Sequence, residues 1–370
     1  GFMEATDIDL VLFCGDAFKT RTPSPTLVRE FARRISLMAQ MCPVVLVPGN
    51  HDIPGAFGKA HTLEIFKTLQ VGNVHVANRP GLLSIDTHSG TVQVVAVPWP
   101  TRHFLMAQEK TQGLSVEEIH RLIAQAVEDA IEEFARRLRP ELPTVLAGHL
   151  SVFGGTFGSE RSVVLGGDVV IPLEAVARPC FDYVALGHLH RHQVLYTSPA
   201  VVYSGSTERI DFGEEAEEKG FMVVEIGAGD QSASARSDTH TEFVRLETRE
   251  FLTIKVTAHV GDVMGAVTDA IAAHDLGGKV VRLVVDTTAE GEALLDEAEI
   301  QKQLGRAFRV ASVTKNVEKA ARIRLGQMDY EEMGPLELLR AYLESKGTPD
   351  EDQDALLGAA QELMTEGEQS

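Results

Sequence analysis

One pattern recurs along the first two thirds of the sequence. A short apolar run, rich in β-branched residues, ends at glycine or proline and is followed at once by polar side chains; it occurs at residues 9–14, 44–47, 144–147 and 183–186. Continuous apolar runs of this length are typical of strands buried on both faces. The pattern therefore predicts a buried sheet with polar residues gathered where its strands end.

Helical patterns lie between these runs. Residues 26–41 follow the helix-start signal Ser24-Pro25, and residues 115–138 begin with Ser115 and Glu118 in the spacing of a capping box. Further strand candidates are residues 92–97, 201–203 and 221–226. Strands that alternate with helices indicate an α/β domain.

The second part of the chain has a different organisation. A polar, turn-forming stretch ends near residue 241 and is followed by apolar runs at 251–260, 280–285 and 308–314, with helical patterns at 263–273 and 294–304. This order predicts a smaller α+β domain. Beyond Gly326 only helical patterns remain. We predict a first domain over residues 1–226, a connection over 227–242, the smaller domain over 243–325 and an acidic helical region over 326–370.

Composition excludes several classes of protein. The 370 residues include 54 acidic and 34 basic side chains, a net charge of -20 that opposes binding to nucleic acid phosphates at long range. No apolar stretch approaches the ~20 residues needed to cross a bilayer, and no signal-peptide pattern is present. Three cysteines without a CxxC pair favour neither disulfides nor a cysteine zinc site. We expect a cytoplasmic protein that does not enter membranes.

Side chains able to bind metal follow four of the predicted strands: Asp16, Asn50, His149, His188 and His190. Open α/β folds place their ligands at the carboxyl ends of strands. Imidazole suits Mn, Fe, Zn and Ni, and carboxylate or amide oxygens favour Mg and Mn, so the mixed set indicates a transition-metal hydrolase site. Taken singly, each residue is more often a cap or a satisfied polar group. Their recurrence at successive strand ends favours the metal interpretation.

His51 and Asp52 directly follow Asn50. A metal site that hydrolyses a phosphate ester needs a group that stabilises or protonates the departing oxygen. We predict this role for His51, oriented by Asp52, although either residue could be a turn former only.

The ordered set Gly15-Asp16, GNHD at 49–52, Gly148-His149 and GHLH at 187–190 resembles the signature of calcineurin-like metallophosphoesterases. Residues 203–212 (YSGSTERIDF) and 217–221 (EEKGF) resemble more narrowly the SbcD family of bacterial double-strand-break repair nucleases. The resemblance implies a four-layer αββα sandwich followed by a capping domain and C-terminal helices.

The same resemblance implies two Mn ions, with Mg or another divalent ion as alternatives. Asp16 would bridge them, with Asn50, His149 and His188 on one ion and His190 on the other. A metal-activated hydroxide would attack phosphorus while His51 assists. The family's activities are 3′ to 5′ exonuclease on duplex DNA ends and endonuclease on single strands and hairpins. Its expected partners are DNA, a second copy of the chain and an SbcC-type ATPase bound by the helices at residues 335–364.

The sequence departs from the family pattern in one respect: no Asp-x-His precedes Gly15-Asp16. We expect that this reflects a truncated chain rather than a true loss of ligands. Two alternatives remain open, a related phosphodiesterase acting on small esters and a catalytically inactive scaffold of the repair complex. The acidic run at 214–218 is interpreted as a solvated loop, and residues 203–209 are a candidate DNA contact or a loop that shapes the pocket.

Overall fold

The computed structural model of the chain describes residues 2–54, 60–101, 113–156, 168–227, 238–258, 261–318, 334–346 and 348–367. Two compact units divide the chain, Gly1–Phe251 and Leu252–Ser370.

The first unit opens with a short helix, α1 (Phe2–Ala5), and a three-stranded parallel sheet. Its strands, in both chain order and sheet order, are β1 (Val11–Phe13), β2 (Val44–Leu46) and β3 (Val74–Val76). Helices α2 (Pro25–Ala39) and α3 (Glu64–Thr68) bury apolar side chains against this sheet. The Leu27 amide donates to Ser24 Oγ, so α2 begins at the predicted start signal, one residue before the predicted range.

A six-stranded mixed sheet forms the centre of the unit. The first three of its strands in chain order are β4 (Gly81–Thr87), β5 (Gly90–Val97) and β6 (Thr144–His149). Two short strands outside this sheet follow and pair with each other, β7 (Ser151–Val152) and β8 (Val170–Ile171). The last three strands of the sheet are β9 (Tyr183–Gly187), β10 (Gln193–Thr197) and β11 (Ala200–Tyr203). The order across the sheet is β10-β11-β9-β6-β5-β4. Strands β5, β6, β9 and β11 run parallel, and an antiparallel strand closes each edge.

Helix α4 (Val116–Arg136) covers the outer face of this sheet. Its apolar stripe is Ile119, Ile123, Val127 and Ile131, at the spacing of one helix face. The predicted capping box is present, because the Glu118 amide donates to Ser115 Oγ and the Ser115 amide donates to the Glu118 carboxylate. A further one-turn helix, α5 (Leu173–Val176), packs on the same face.

The two sheets pack on each other through a shared apolar cluster. Val45 and Val47, in and just after β2, meet Val94, Ala96 and Ala147 of the larger sheet. Helices therefore lie outside two facing sheets, which gives the layer order helix, sheet, sheet, helix. The predicted α/β class and four-layer sandwich are confirmed.

An antiparallel pair, β12 (Gly220–Ile226) and β13 (Thr239–Arg245), completes the first unit after a single 3₁₀ turn at Phe212–Glu214. Strand β13 begins inside the stretch that was predicted as a connection, and residues 228–237 of that stretch lie outside the described residues. The boundary between compact units falls after Phe251. The functional division into four segments stays a prediction.

The second unit contains a three-stranded sheet in the order β14 (Phe251–Thr257), β15 (Val280–Thr288), β16 (Arg309–Glu318). Its helices in chain order are α6 (Val263–Ala272), α7 (Ala289–Glu292), α8 (Glu297–Leu304), α9 (Pro335–Ser345) and α10 (Asp350–Gly367). Helices α6 and α8 share an apolar core with the sheet, which agrees with the predicted α+β organisation. Residues 319–333 lie outside the described part of the chain. Among the described helices, none combines the length and apolarity required to span a bilayer.

Candidate metal centre

The predicted site residues follow the carboxyl ends of four parallel strands. Asp16 comes after β1, the segment at 49–52 after β2, His149 ends β6, and the GHLH segment starts at the last residue of β9. Because β1 runs parallel to β2, β6 runs parallel to β9 and the two sheets face each other, these ends meet at one edge of the sandwich. Apart from Asp52, all the predicted site residues line one cavity of about 2170 Å³.

Glycines permit the close approach of these loops. A Cβ on Gly187 would lie 1.8 Å from the Cys14 carbonyl oxygen, and one on Gly49 would lie 2.2 Å from Asp16 Oδ1. Gly15 has φ +95°, and a Cβ there would lie 2.1 Å from His149 Nδ1. Any larger residue at these positions would push the site apart.

Four candidate ligands converge at the centre of this edge. His149 Nε2 lies 2.9 Å from Asn50 Oδ1 and 3.3 Å from Asp16 Oδ2. His188 Nδ1 lies 3.2 Å from the same Asn50 oxygen. Ligand atoms of Asp16, His149 and His188 all lie within 4.8 Å of one another. The structure thus brings together residues that are separated by up to 172 positions in the chain.

The orientation of both imidazoles fits a cation. His149 Nδ1 lies 2.7 Å from the Cys14 carbonyl oxygen, to which it donates, so the lone pair of a neutral ring is on Nε2. His188 Nε2 donates to Asp168 Oδ2 over 3.0 Å, which leaves its lone pair on Nδ1. These lone pairs and the oxygens of Asp16 and Asn50 all face one another. A divalent ion among four such acceptors would satisfy them together.

The electrostatics of the centre favour positive charge. Burial by itself would raise the pKa of Asp16, but the charge and hydrogen bond of His149 and the amide of His51 outweigh it and lower that pKa to about 2. Burial lowers the pKa of His188, which keeps its ring neutral as metal binding requires. Asp16 raises the pKa of His149 against the effect of burial, so the carboxylate attracts any cation placed beside that ring.

The backbone is strained at two of the candidate ligands. Asp16 has φ 55° and His188 has φ 106°, in the left-handed region that favours glycine. Such conformations cost about 1–3 kcal/mol each and persist where the surrounding structure holds them. Both residues carry candidate ligand atoms, so the strain is located at the site itself.

A family model of the calcineurin-like phosphoesterase domain matches residues 2–192, just over half of the sequence. The chain belongs to the calcineurin-like phosphoesterase family. This fold implies a divalent metal ion, and the Asp16, His149 and His188 group is a fitting place for one.

Curated relatives of this phosphoesterase are named as the SbcD component of the nuclease SbcCD. The protein of Staphylococcus epidermidis is 27% identical over 228 residues, which cover 60% of this chain and 57% of the relative. That of Rhodobacter capsulatus is 28% identical over 250 residues, covering 61% and 58%. That of Escherichia coli K12 is 28% identical over 233 residues, covering 60% and 56%. The aligned part of this phosphoesterase spans somewhat more than half the length of these relatives.

His51 and Asp52 are held differently from each other. The His51 amide donates to Asp16 Oδ1 over 2.8 Å, and its side chain is only partly buried. Asp52 is buried, and its two oxygens accept from the amides of Ala17 and Gly49. Burial raises the pKa of Asp52 to about 6. These contacts of Asp52 join the two metal-site loops; its predicted orienting effect on His51 stays a prediction.

His190 is not part of the group formed by Asp16, His149 and His188. Its Nδ1 donates to Glu214 Oε1 over 2.7 Å, which leaves Nε2 as the nitrogen with a lone pair. Glu214 is fully buried and also pairs with Lys219 Nζ at 2.8 Å. The interpretation of residues 214–218 as a solvated loop is therefore wrong for Glu214, because its carboxylate has two positively charged or donating partners in the interior. Those partners lower the pKa of Glu214 to about 2 although burial opposes them.

Two further residues at the site were not predicted from the sequence. Trp99 lies beside the metal centre, with its ring centroid 4.8 Å from that of His188. Asp168 contacts His188 as described above. A lone tryptophan and a single aspartate after two glycines carry no spacing signal, so only the folded chain reveals them.

The segment at residues 203–209 is mainly structural in its contacts. Tyr203 is fully buried, and its hydroxyl donates to the Leu150 carbonyl. The Arg209 guanidinium donates to the carbonyls of Glu215 and Glu217. These contacts agree with a loop that shapes the pocket, and the alternative of a DNA contact stays a prediction.

Proposed function

We propose that this chain is a metal-dependent DNA nuclease subunit that hydrolyses phosphodiesters. The observation that carries the proposal is the convergence of Asp16, Asn50, His149 and His188, with lone pairs facing inward, in a chain related to the SbcD proteins of the SbcCD nuclease. A set of nitrogen and oxygen donors without sulfur favours Mn over softer ions.

Two ions are proposed. The first would be held by Asn50 Oδ1, His149 Nε2, His188 Nδ1 and Asp16, all of which already face a common point. His190 would contribute Nε2 to the second ion, and Asp16 would bridge the two. The tautomer of His190 supports this assignment, since its Nδ1 carries the proton donated to Glu214. When bound, the ions would supply an activated water and neutralise charge on the phosphate oxygens.

Side chains of the protein would provide the remaining chemistry. His51 lines the same cavity as the ligands and is fixed through its backbone to Asp16. We propose that its imidazole protonates or stabilises the leaving sugar oxygen. Trp99 restricts the ring of His188 from one side. Asp52 would keep the two loops that carry Asp16 and Asn50 at a fixed separation.

The proposed substrates are duplex ends, hairpins and single strands of DNA, with 3′ to 5′ exonuclease and endonuclease activity in DNA repair. A net charge of -20 gives little long-range attraction to DNA, so the metal ions and a partner would supply it. We propose an SbcC-type ATPase as that partner, docking on α9 and α10, where Tyr342, Leu356 and Met364 are exposed. The assembly would contain two copies of this chain and act in the cytoplasm, consistent with three cysteines that form no disulfide.

The test is cleavage of end-labelled duplex and hairpin DNA by the full-length protein in Mn, with and without the ATPase. We expect His51→Ala to abolish cleavage while the Mn content is unchanged. His88→Ala is the matched control, because this histidine is half exposed and pairs with Asp7 and Asp9 away from the metal centre. Absence of cleavage by the intact protein, with or without the ATPase, would overturn the nuclease proposal. Cleavage of a small diester but not of DNA would favour the small-ester alternative.

A further inference from the structure

Each histidine of the GHLH segment has a buried or nearly buried carboxylate behind it. Asp168 Oδ2 lies 3.0 Å from His188 Nε2, and Glu214 Oε1 lies 2.7 Å from His190 Nδ1. The two carboxylates come from different parts of the chain, one before β8 and one in the 3₁₀ turn before β12. Each contacts the ring nitrogen that faces away from the proposed ion.

Asp168 is well placed to fix the ring of His188. Its side chain is 14% exposed, and the same oxygen that meets His188 accepts a hydrogen bond from Ser151 Oγ over 2.9 Å. This anchor prevents the carboxylate from following the ring if the ring rotates. Because Nε2 is held as a donor, Nδ1 keeps its lone pair and points to Asn50 Oδ1. The φ of His188 is 106°, which is unfavourable for any residue with a Cβ, so contacts such as this one hold the residue in a strained conformation.

Glu214 acts on His190 through a larger network. Its Oε2 accepts from Lys219 Nζ over 2.8 Å and from the Ile210 amide over 3.0 Å. Lys219 is itself buried and donates to the His190 carbonyl over 3.0 Å. The ring and the backbone of His190 are therefore both tied to one buried ion pair. With its proton held on Nδ1, the ring presents the lone pair of Nε2 to a metal.

We propose that Asp168 and Glu214 are positioning residues for the metal centre, Asp168 setting the affinity of the ion on His188 and Glu214 that of the ion on His190. This inference rests on the proposed two-ion site. A carboxylate that accepts from a ligating histidine fixes its tautomer and orientation and increases its basicity. Each carboxylate would act on the metal through its histidine.

The proposed role of Asp168 is tested by measuring Mn binding to the full-length protein. Binding is followed by titration calorimetry and by the electron paramagnetic resonance signal of free Mn. Asp168→Ala should weaken one Mn site about 10- to 100-fold. Asp168→Asn, which retains an oxygen acceptor for His188 and Ser151, should lose less affinity. Thermal unfolding of the metal-free variants shows whether each remains folded.

Asp182→Asn is the matched control. Asp182 is also a buried carboxylate of the first unit, and its Oδ2 accepts over 2.7 Å from the amide of Thr144, at the start of the strand β6 that ends in His149. This variant should keep the wild-type Mn affinity, whatever its melting temperature. Equal weakening by Asp182→Asn and Asp168→Ala would overturn the positioning role, because the effect would then be a general consequence of lost stability.

The proposed role of Glu214 must be tested with a variant that leaves no buried charge without a partner. Glu214→Leu removes the carboxylate that accepts from His190, and Lys219 keeps its ion pair with Glu217 Oε2 at 2.9 Å. We expect this variant to bind one Mn where the wild type binds two, at a concentration that saturates the wild type. Unchanged affinity and stoichiometry in this variant and in Asp168→Ala would overturn the inference and leave the metal site intact. Absence of Mn binding by the wild type would overturn the metal site and the inference together.

Discussion

Replacement of Tyr203 by phenylalanine isolates one hydroxyl that supports the loop after His149. The Tyr203 hydroxyl donates to the Leu150 carbonyl over 2.6 Å and accepts from the Val152 amide over 2.9 Å. The residue is fully buried, and burial raises the pKa of its phenol, which therefore stays protonated as the hydrogen bond to Leu150 requires. Tyr203→Phe keeps the ring and removes both bonds.

The expected loss of stability follows from the two backbone groups left behind. A buried donor or acceptor that loses its partner costs about 1–3 kcal/mol, so two of them together cost about 2 kcal/mol or more. The control is Tyr196→Phe, because Tyr196 is 45% exposed and its hydroxyl can be replaced by water contacts. We expect this control to remain within about 0.5 kcal/mol of the wild type.

Urea unfolding followed by tryptophan fluorescence measures this difference. Trp99 is the only tryptophan in the sequence and lies beside His188, so its emission reports the first unit and its metal centre. Tyr203→Phe should lower the unfolding midpoint with an unchanged slope. A free energy of unfolding within about 0.5 kcal/mol of the wild type would refute the reasoning that this hydroxyl satisfies two buried backbone groups.

Three further outcomes are expected. Gly187→Ala should prevent stable folding of the first unit, because its Cβ would lie 1.8 Å from the Cys14 carbonyl oxygen. The control Gly358→Ala, in a helix with open space around it, should raise the free energy of unfolding by about 0.5–1 kcal/mol. Thermal melts followed by circular dichroism compare the two variants. Ser115→Ala should cost about 1 kcal/mol in urea unfolding through loss of the cap of α4, and a neutral result would contradict the capping box. Mn at 100 times its dissociation constant should stabilise the protein by about 2.7 kcal/mol, and chelation with EDTA should reverse the shift in melting temperature.

The sheet and the ligand set were predictable because both depend on local patterns. Apolar runs that end in Gly-Asp, Gly-Asn or Gly-His report a buried strand and the polar end of that strand in the same few residues. The structure places Asp16, Asn50, His149 and His188 together as this pattern indicates. The capping box at Ser115 was predictable for the same reason, since its two partners are three residues apart.

The supporting residues were not predictable, because their partners are distant or their local pattern indicates something else. Asp168 meets His188 across a 20-residue separation that contains no repeat or spacing rule. Glu214 lies in an acidic run, a composition typical of solvent-exposed loops, and it is buried only because Lys219 and His190 meet it in the fold. Strand β13 was missed because its alternation of polar and apolar residues is weak, and its pairing with β12 defines it.

The central claim is that Asp16, Asn50, His149 and His188 form a divalent metal centre. The most direct test is a crystal structure of the full-length protein grown with Mn, with anomalous diffraction recorded at the Mn absorption edge. The account predicts an anomalous peak enclosed by Asp16 Oδ2, Asn50 Oδ1, His149 Nε2 and His188 Nδ1, with Asp168 still bonded to the far nitrogen of His188. A crystal saturated with Mn that shows no peak among these four atoms would contradict it.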